Sequence, residues 1–133
     1  MNLTGLIKLP HRKWRGIALL ILSLAFITAG TNHFLHPQSY VAIMPSYLPA
    51  HLELVYISGF FEVTGGAGVL IYQLRRWSGF GLIALSIAVF PANLHMALNS
   101  HEFADLAEAW FWFARLPLQL VIIGWIYWCC LAE

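Results

Sequence analysis

The apolar residues of this chain fall into four long runs separated by shorter polar stretches. The first runs from Gly16 to about Phe34, directly behind Lys8, Arg12, Lys13 and Arg15. The second runs from about Leu52 to Leu74 and is stopped by Arg75 and Arg76. The third, Phe80 to about Leu98, contains Pro91, and the fourth, Trp110 to about Leu131, carries Arg115 and Pro117 near its entry. Each is close to the ~20 residues that a helix needs to cross the hydrocarbon core of a bilayer. The pattern predicts an all-α polytopic membrane protein, a four-transmembrane-helix bundle, with residues 1–133 forming one membrane domain (spans about 16–34, 52–74, 80–98 and 110–131).

The stretches between the runs carry their own signals. Pro37, Pro45 and Pro49 forbid a continuous helix between His36 and His51. The segment SYVAIM is expected to form a turn or two lying flat at the interface, with Tyr40, Ile43 and Met44 on one face. Between Asn99 and Ala109, Glu102, Asp105 and Glu108 recur every third residue. They predict an acidic stripe on a surface helix, or an extension of the fourth span. The basic start followed by an apolar run also resembles a signal peptide. The run is longer than such a segment needs and FITAG is a poor cleavage site, so it reads as a retained first span.

Composition sharpens this picture. The chain is 60% hydrophobic and 10% charged, against about 25% charge in ordinary soluble domains. It cannot clothe a soluble enzyme of its size. A net charge of +1 and 15% aromatic residues exclude disorder. Seven Lys and Arg supply no basic face for nucleic acid beyond one short cluster. Six of those seven lie before the first span or between the second and third, so the positive-inside rule places both termini on the cytoplasmic side. Trp14 and Trp77 then mark the inner interface, Trp110 and Trp112 the outer one, while Trp125, Tyr127 and Trp128 approach the inner edge. Cys129 and Cys130 are adjacent and belong to no CxxC pair. A vicinal pair closes a strained ring, so both read as small apolar residues.

Small residues allow helices in lipid to approach closely and so mark contact faces. Gly16, Ser23 and Gly30 repeat every seven residues in the first span. Ser58, Gly59, Glu62, Gly65 and Gly66 share a sector of the second, and Gly81, Ala84, Ala88, Ala92 and His95 a narrower sector of the third. Arg115 and Gln119 lie one turn apart in the fourth. Glu62 and His95 are thus expected to face protein. With Asn32, His33, Asn93, Arg115 and Gln119 they predict a polar cluster in the outer half of the bundle, deepest at Glu62. Ionisable residues inside a membrane are functional candidates by default.

Two readings of that cluster follow. In one it is a pocket: Glu62 accepts a proton or binds a ligand, His95 exchanges protons with it, and Arg115 orients an anionic or quinone-like head. In the other Glu62 and Arg115 pair, directly or through Gln119 and His95, and only lock the helices. Asn93 reads best as a polar clamp beside the kink at Pro91, which frees the Ile87 carbonyl. His33, His36, His51, His95 and His101 fall on the outer side, but no zinc-ligand spacing occurs and no metal is assigned. The GGAG segment at Gly65–Gly68 lacks the Lys-Ser/Thr of a phosphate loop and reads as close packing.

The segments NHFLHPQSYVAIMPSYLP, LVYISGFFEVTGGAGVL, RRWSGFGLIALSIAVFPANLHMA and RLPLQLVIIGWIYW together resemble the DoxX-like family of small bacterial membrane proteins, over about residues 25–128. The most specific pieces are FPANLHMA, RLPLQ and the Glu of GFFEVTGG. The resemblance implies a four-helix protein of the bacterial inner membrane. Some relatives are linked to thiosulfate oxidation with quinone as acceptor, or to membrane complexes that handle oxidative stress. The family offers no agreed catalytic motif, and the absence of CxxC argues against a thiol relay. The expected function is an accessory or small-molecule-binding subunit of a membrane redox system, with quinone as the candidate ligand and no catalytic residue assigned. The alternatives are a structural or assembly protein, and a small-solute or proton pathway built by self-association.

Overall fold

A computed structural model describes residues 7, 9–42, 44, 48–99, 101 and 109–132. The described chain is all-helical: α1 (Lys13–Leu35), α2 (Pro37–Val41), α3 (His51–Gly68), α4 (Arg75–Leu98) and α5 (Ala109–Cys130). An isolated antiparallel bridge joins Ile7 to Ile71. Three helical stretches are long and apolar enough to cross a membrane: Lys13–Leu35, Arg75–Leu98 and Trp110–Cys130. The 18-residue α3, which carries Glu53 and Glu62, is not among them.

Helix boundaries differ from the apolar runs for local reasons. α1 begins within the basic stretch, because Pro10 is the last breaker and Lys and Arg are good helix formers. α3 stops at Gly68 instead of continuing to Leu74. Gly65, Gly66 and Gly68 weaken its last turns, and turns on either side of the bridged Ile71 fill residues 69–74. Arg75 and Arg76 therefore do not end a span; they open α4. α2 starts with Pro37 at its first position, where the missing N–H costs no helical bond. Ile43, in the expected interfacial turn, lies outside the described residues, as do Glu102, Asp105 and Glu108 of the expected acidic stripe.

The long helices associate as two pairs, α1 with α3 and α4 with α5, joined by contacts of α3 with α4 and of α1 with α5. Each pair is antiparallel. Ser23 meets Gly66 while His33 meets Val55, and Asn93 meets Gln119 while Gly79 meets Cys130. One apolar cluster joins the pairs where α1 and α4 begin: Leu19, Leu22, Val69, Leu82, Ile126, Cys129 and Cys130. Trp125 ties α5 to α1 by donating Nε1–H to the Ala18 carbonyl at 3.2 Å. At the opposite end Met96, Ala97 and Trp112 pack with Leu116. Large apolar side chains such as Leu24, Phe60, Phe61, Ile87, Leu120 and Val121 point outward. Glycine and serine share the interior with a few larger side chains, among them Leu19, Leu22, Leu82, Met96 and Ile126. So apolar an exterior suits a lipid solvent rather than water.

α1 and α3 cross through their small residues. A Cβ at Gly30 would stand 2.7 Å from the Gly59 carbonyl oxygen, and one at Gly59 would stand 2.9 Å from the Gly30 oxygen. Ser23, 1% exposed, donates to the Gly66 carbonyl at 2.6 Å. The expected contact face of the third span is a correction. Gly81, Ala84 and Ala88 are exposed, and nothing lies within 4 Å of a Cβ at Gly81. α4 instead buries Gly79, Leu82 and Ser86. Leu82 is large enough to fill the hollow at Gly65, and Gly79 admits Cys130. Interlocking of a large with a small residue thus selects the face, not a run of small residues alone.

Candidate functional site

The seven residues singled out in the sequence divide into two polar networks and two side chains apart from them. The first network spans α1, α2 and α3. His33, 8% exposed, places Nδ1 2.9 Å from the Val55 carbonyl oxygen and Nε2 3.1 Å from Oε2 of Glu62. The Tyr40 ring lies over the imidazole, with centroids 4.0 Å apart and planes tilted by 42°. Asn32 Nδ2 donates to the Tyr40 hydroxyl at 2.7 Å. Beside them Phe34 and Tyr56 stack at 5.5 Å.

Local structure explains this convergence. Asn32 and His33 occupy the last turn of α1, and Pro37 starts a new short helix immediately afterwards. The change of direction folds Tyr40 back over His33. On the other side the glycine crossing brings α3 near enough for an α1 imidazole to reach an α3 carbonyl.

The chemistry follows from the partners. A carbonyl oxygen only accepts, so Nδ1 of His33 carries a proton and Nε2 of the neutral ring is a bare acceptor. An ionised Glu62 is an acceptor too. Two acceptors 3.1 Å apart repel, and one proton shared between them makes the contact attractive, as imidazolium with carboxylate or imidazole with carboxylic acid. Among the described residues Oε2 of Glu62, wholly buried, makes no aligned hydrogen bond; it meets His33 at ion-pair distance only.

The second network clamps α4 to α5. Asn93 Nδ2 donates to Oε1 of Gln119 at 2.5 Å, and Nε2 of Gln119 donates to the Ser86 carbonyl. Ser86 Oγ donates to the Leu82 carbonyl at 2.8 Å. Pro91 lies inside α4 between Ser86 and Asn93, where its ring removes a backbone donor. A groove of about 220 Å³ lined by Ile87, Phe90, Leu120 and Ile123 ends on Gln119.

Glu62 meets neither of its expected partners. Its ion-pair partner is His33, from the adjacent α1, rather than His95 or Arg115. His95 shares a contact with Asn99, whose Nδ2 lies 3.3 Å from its Nδ1 and donates to its backbone carbonyl at 3.0 Å. The Arg115 guanidinium lies over aromatic rings of its own helix, 5.9 Å from Phe111 and 5.8 Å from Trp112. Among the described residues it pairs with no carboxylate, although Tyr40 is within its electrostatic reach. Gln119 bonds to Asn93 and Ser86, and so does not relay Glu62 to Arg115. The lock that rests on a Glu62–Arg115 pair is therefore absent here.

Sequence reasoning missed three participants. Tyr40 was visible only as an interfacial aromatic, and Ser86 gave no signal beyond its polarity in an apolar run. Arg75 is 5% exposed and donates Nε–H to the Val69 carbonyl at 2.8 Å; the sequence marks it only as a stop to the second apolar run.

These features define an all-helical protein with three helices of membrane-crossing length and character and a His–Glu contact held between two helices. Residues 22–130 match the family described as a domain of unknown function, DUF8561, and the chain belongs to that family. All seven candidate residues fall within the match. No solved structure matches the chain.

Proposed function

We propose that this chain is a multi-pass inner-membrane protein whose four long helices form an up-down bundle with both termini cytoplasmic, and that it serves as a small-molecule-binding accessory subunit of a membrane redox system. Its functional centre is the His33–Glu62 pair. The observation that carries this reading is the buried, unbonded carboxylate oxygen of Glu62 facing a ring nitrogen whose partner nitrogen is already committed. Such a pair holds one exchangeable proton and can offer it to an acceptor oxygen. A quinone-like head needs a hydrogen-bond donor for its carbonyl and flat apolar walls. The pair supplies the first, and Tyr40, Phe34 and Tyr56 supply the second. The resemblance to DoxX-like proteins favours the same class of ligand.

A structural reading is favoured by a different observation: His33 bonds across to the Val55 carbonyl next to the Gly30–Gly59 crossing, as an interhelical lock would. Glu62→Gln separates the two. Under the binding reading the variant accumulates in the membrane at the wild-type level while photo-crosslinking of a quinone analogue and quinone-linked electron transfer fall. If Glu62→Gln and His33→Gln change only thermal stability, and crosslinking to wild-type protein is no better than to the variants, the lock is the correct account. Proton flux in vesicles abolished by Glu62→Gln would favour a proton pathway instead.

A further inference from the structure

The His33–Glu62 pair is also the tie that holds the end of α1 to α3. Nearer its start α1 is fixed at several levels. Trp125 bonds to the Ala18 carbonyl, Leu19 and Leu22 pack in the apolar cluster, Ser23 bonds to the Gly66 carbonyl, and the two backbones meet at Gly30 and Gly59. Past Gly30 the attachments thin. Of residues 31–41 only His33 is buried, and the stack of Phe34 on Tyr56 joins two exposed rings. α2 buries none of its residues. A bending point stands at the boundary. Gly30 favours a helix poorly, and Thr31 Oγ1 donates to the Ile27 carbonyl at 2.7 Å. That carbonyl is also the helical acceptor of the Thr31 N–H, and such back-bonding bends helices.

His33 faces two acceptors on α3. Nδ1 is 2.9 Å from the Val55 carbonyl oxygen and Nε2 is 3.1 Å from Oε2 of Glu62. A neutral imidazole has one N–H and cannot serve both. With one further proton on the pair both contacts attract: the imidazolium donates to each, or the carboxylic acid donates to Nε2. Without that proton one contact sets lone pair against lone pair, whichever tautomer the ring adopts. The other titratable groups of the surrounding elements leave this choice in place. Tyr40 of α2 covers the ring face and accepts from Asn32. On α3, Tyr56 stacks on Phe34, and His51 and Glu53 stand in the first turn, more than two turns from Glu62. His95 of α4 contacts Asn99, and Arg115 of α5 lies over Phe111 and Trp112.

We propose that the pair is a proton-operated latch: when it gives its extra proton to water, the last turn of α1 swings away from α3 about Gly30–Thr31, carries α2 with it and uncovers Glu62. This deepens the proposed function; it rests on the exchangeable proton of that reading and not on the ligand. The proton holds the latch shut, so the closed form is favoured at low pH and is lost as pH rises. A water admitted between the parted groups sets them about 5 Å apart instead of 3.1 Å, a widening of about 2 Å at the pair. The closed form thus retains the proton, and the open form exchanges it.

The test uses the full chain in lipid nanodiscs with no ligand added and with Cys129 and Cys130 replaced by alanine. Spin labels at Leu35→Cys and Ile57→Cys, both exposed, straddle the latch; labels at Leu24→Cys and Thr64→Cys, exposed on the other side of the crossing, are the reference pair. Label distances are read by double electron–electron resonance from about pH 5 to about pH 9, a range that spans the ordinary histidine value. The ¹⁵N histidine spectrum follows the His33 proton over the same range. The expected result is a widening of about 2 Å or more at the first pair as the proton leaves, and none at the reference pair. Glu62→Gln offers Nε2 a permanent N–H and should stay closed at every pH. Thr31→Ala, at an exposed site, removes the back-bond and should reduce the widening while the proton still titrates. A first-pair distance that stays fixed while the proton leaves overturns the proposal, as does a pair that keeps its proton throughout, equal widening at both label pairs, or Glu62→Gln protein that opens as wild type does. Should Glu62→Gln not fold, Thr31→Ala decides: opening as wide as wild type overturns the hinge. A fixed distance leaves quinone-analogue crosslinking unaffected, and absent crosslinking leaves the swing unaffected, so the two readings fail separately.

Discussion

Gly59→Ala tests whether helix contact and proton site are one device. The added Cβ would stand 2.7 Å from Cβ of His33, 2.9 Å from the Gly30 carbonyl oxygen and 3.1 Å from Cε2 of Phe34. The Phe34 ring can swing away. The other two atoms belong to or adjoin the α1 backbone, so α1 itself must retreat. Restoring an ordinary 3.4 Å contact to the His33 Cβ takes 0.7 Å. The same movement would stretch the 2.9 Å contact from His33 Nδ1 to the Val55 oxygen to about 3.6 Å, beyond a useful hydrogen bond. Overpacking costs ~1–3 kcal/mol, and the lost bond adds about 0.6–1 kcal/mol in a membrane setting. The better helix propensity of alanine returns up to about 1 kcal/mol. The net expectation is a loss of about 1–3 kcal/mol. Gly81→Ala is the control: a Cβ there meets nothing within 4 Å, so stability should hold or rise by at most ~1 kcal/mol. Unfolding of both variants in detergent, followed by circular dichroism, gives the energies. The ¹⁵N histidine spectrum reports whether His33 keeps its Nδ1–H form. A Gly59→Ala protein as stable as wild type with an unchanged His33 signal would refute the reasoning, as would equal damage from Gly81→Ala.

A double-mutant cycle of Asn93→Leu and Gln119→Leu should give a coupling of about 0.6–1.7 kcal/mol for the α4–α5 clamp; a coupling near zero in unfolding experiments would show that the contact contributes nothing. Ser23→Ala removes the bond to Gly66 and should cost about 0.5–1 kcal/mol in the same assay, whereas Ser23→Val should cost more by wedging a branched side chain beside the crossing. Tyr40→Phe keeps the ring over His33 and removes only the acceptor for Asn32. Reaction of His33 with diethyl pyrocarbonate should therefore match wild type in Tyr40→Phe and accelerate in Tyr40→Ala.

What the sequence determines by itself is the class of molecule. The scarcity of charge, the length of the apolar runs and the placement of prolines and glycines act locally, and each needs only neighbouring residues to have its effect. They suffice for an all-helical chain with helices of membrane-crossing length, for the breaks near Pro37 and after Leu98, and for Gly30 and Gly59 as contact residues. They also mark Glu62 and His33 as polar residues that apolar surroundings will not tolerate without partners. The tertiary structure decides which partners they meet. Helix rotation is set by how Leu82 fits Gly65 and how Gly30 fits Gly59, and these fits depend on two helices at once. A small rotation exposes Gly81, Ala84 and Ala88 and buries Gly79, Leu82 and Ser86. The same packing gives Glu62 the neighbouring His33 instead of Arg115 or His95, commits Gln119 to Asn93, and turns Arg75 inward. Sequence spacing fixes the face on which a side chain stands; only the crossing of helices fixes what stands opposite.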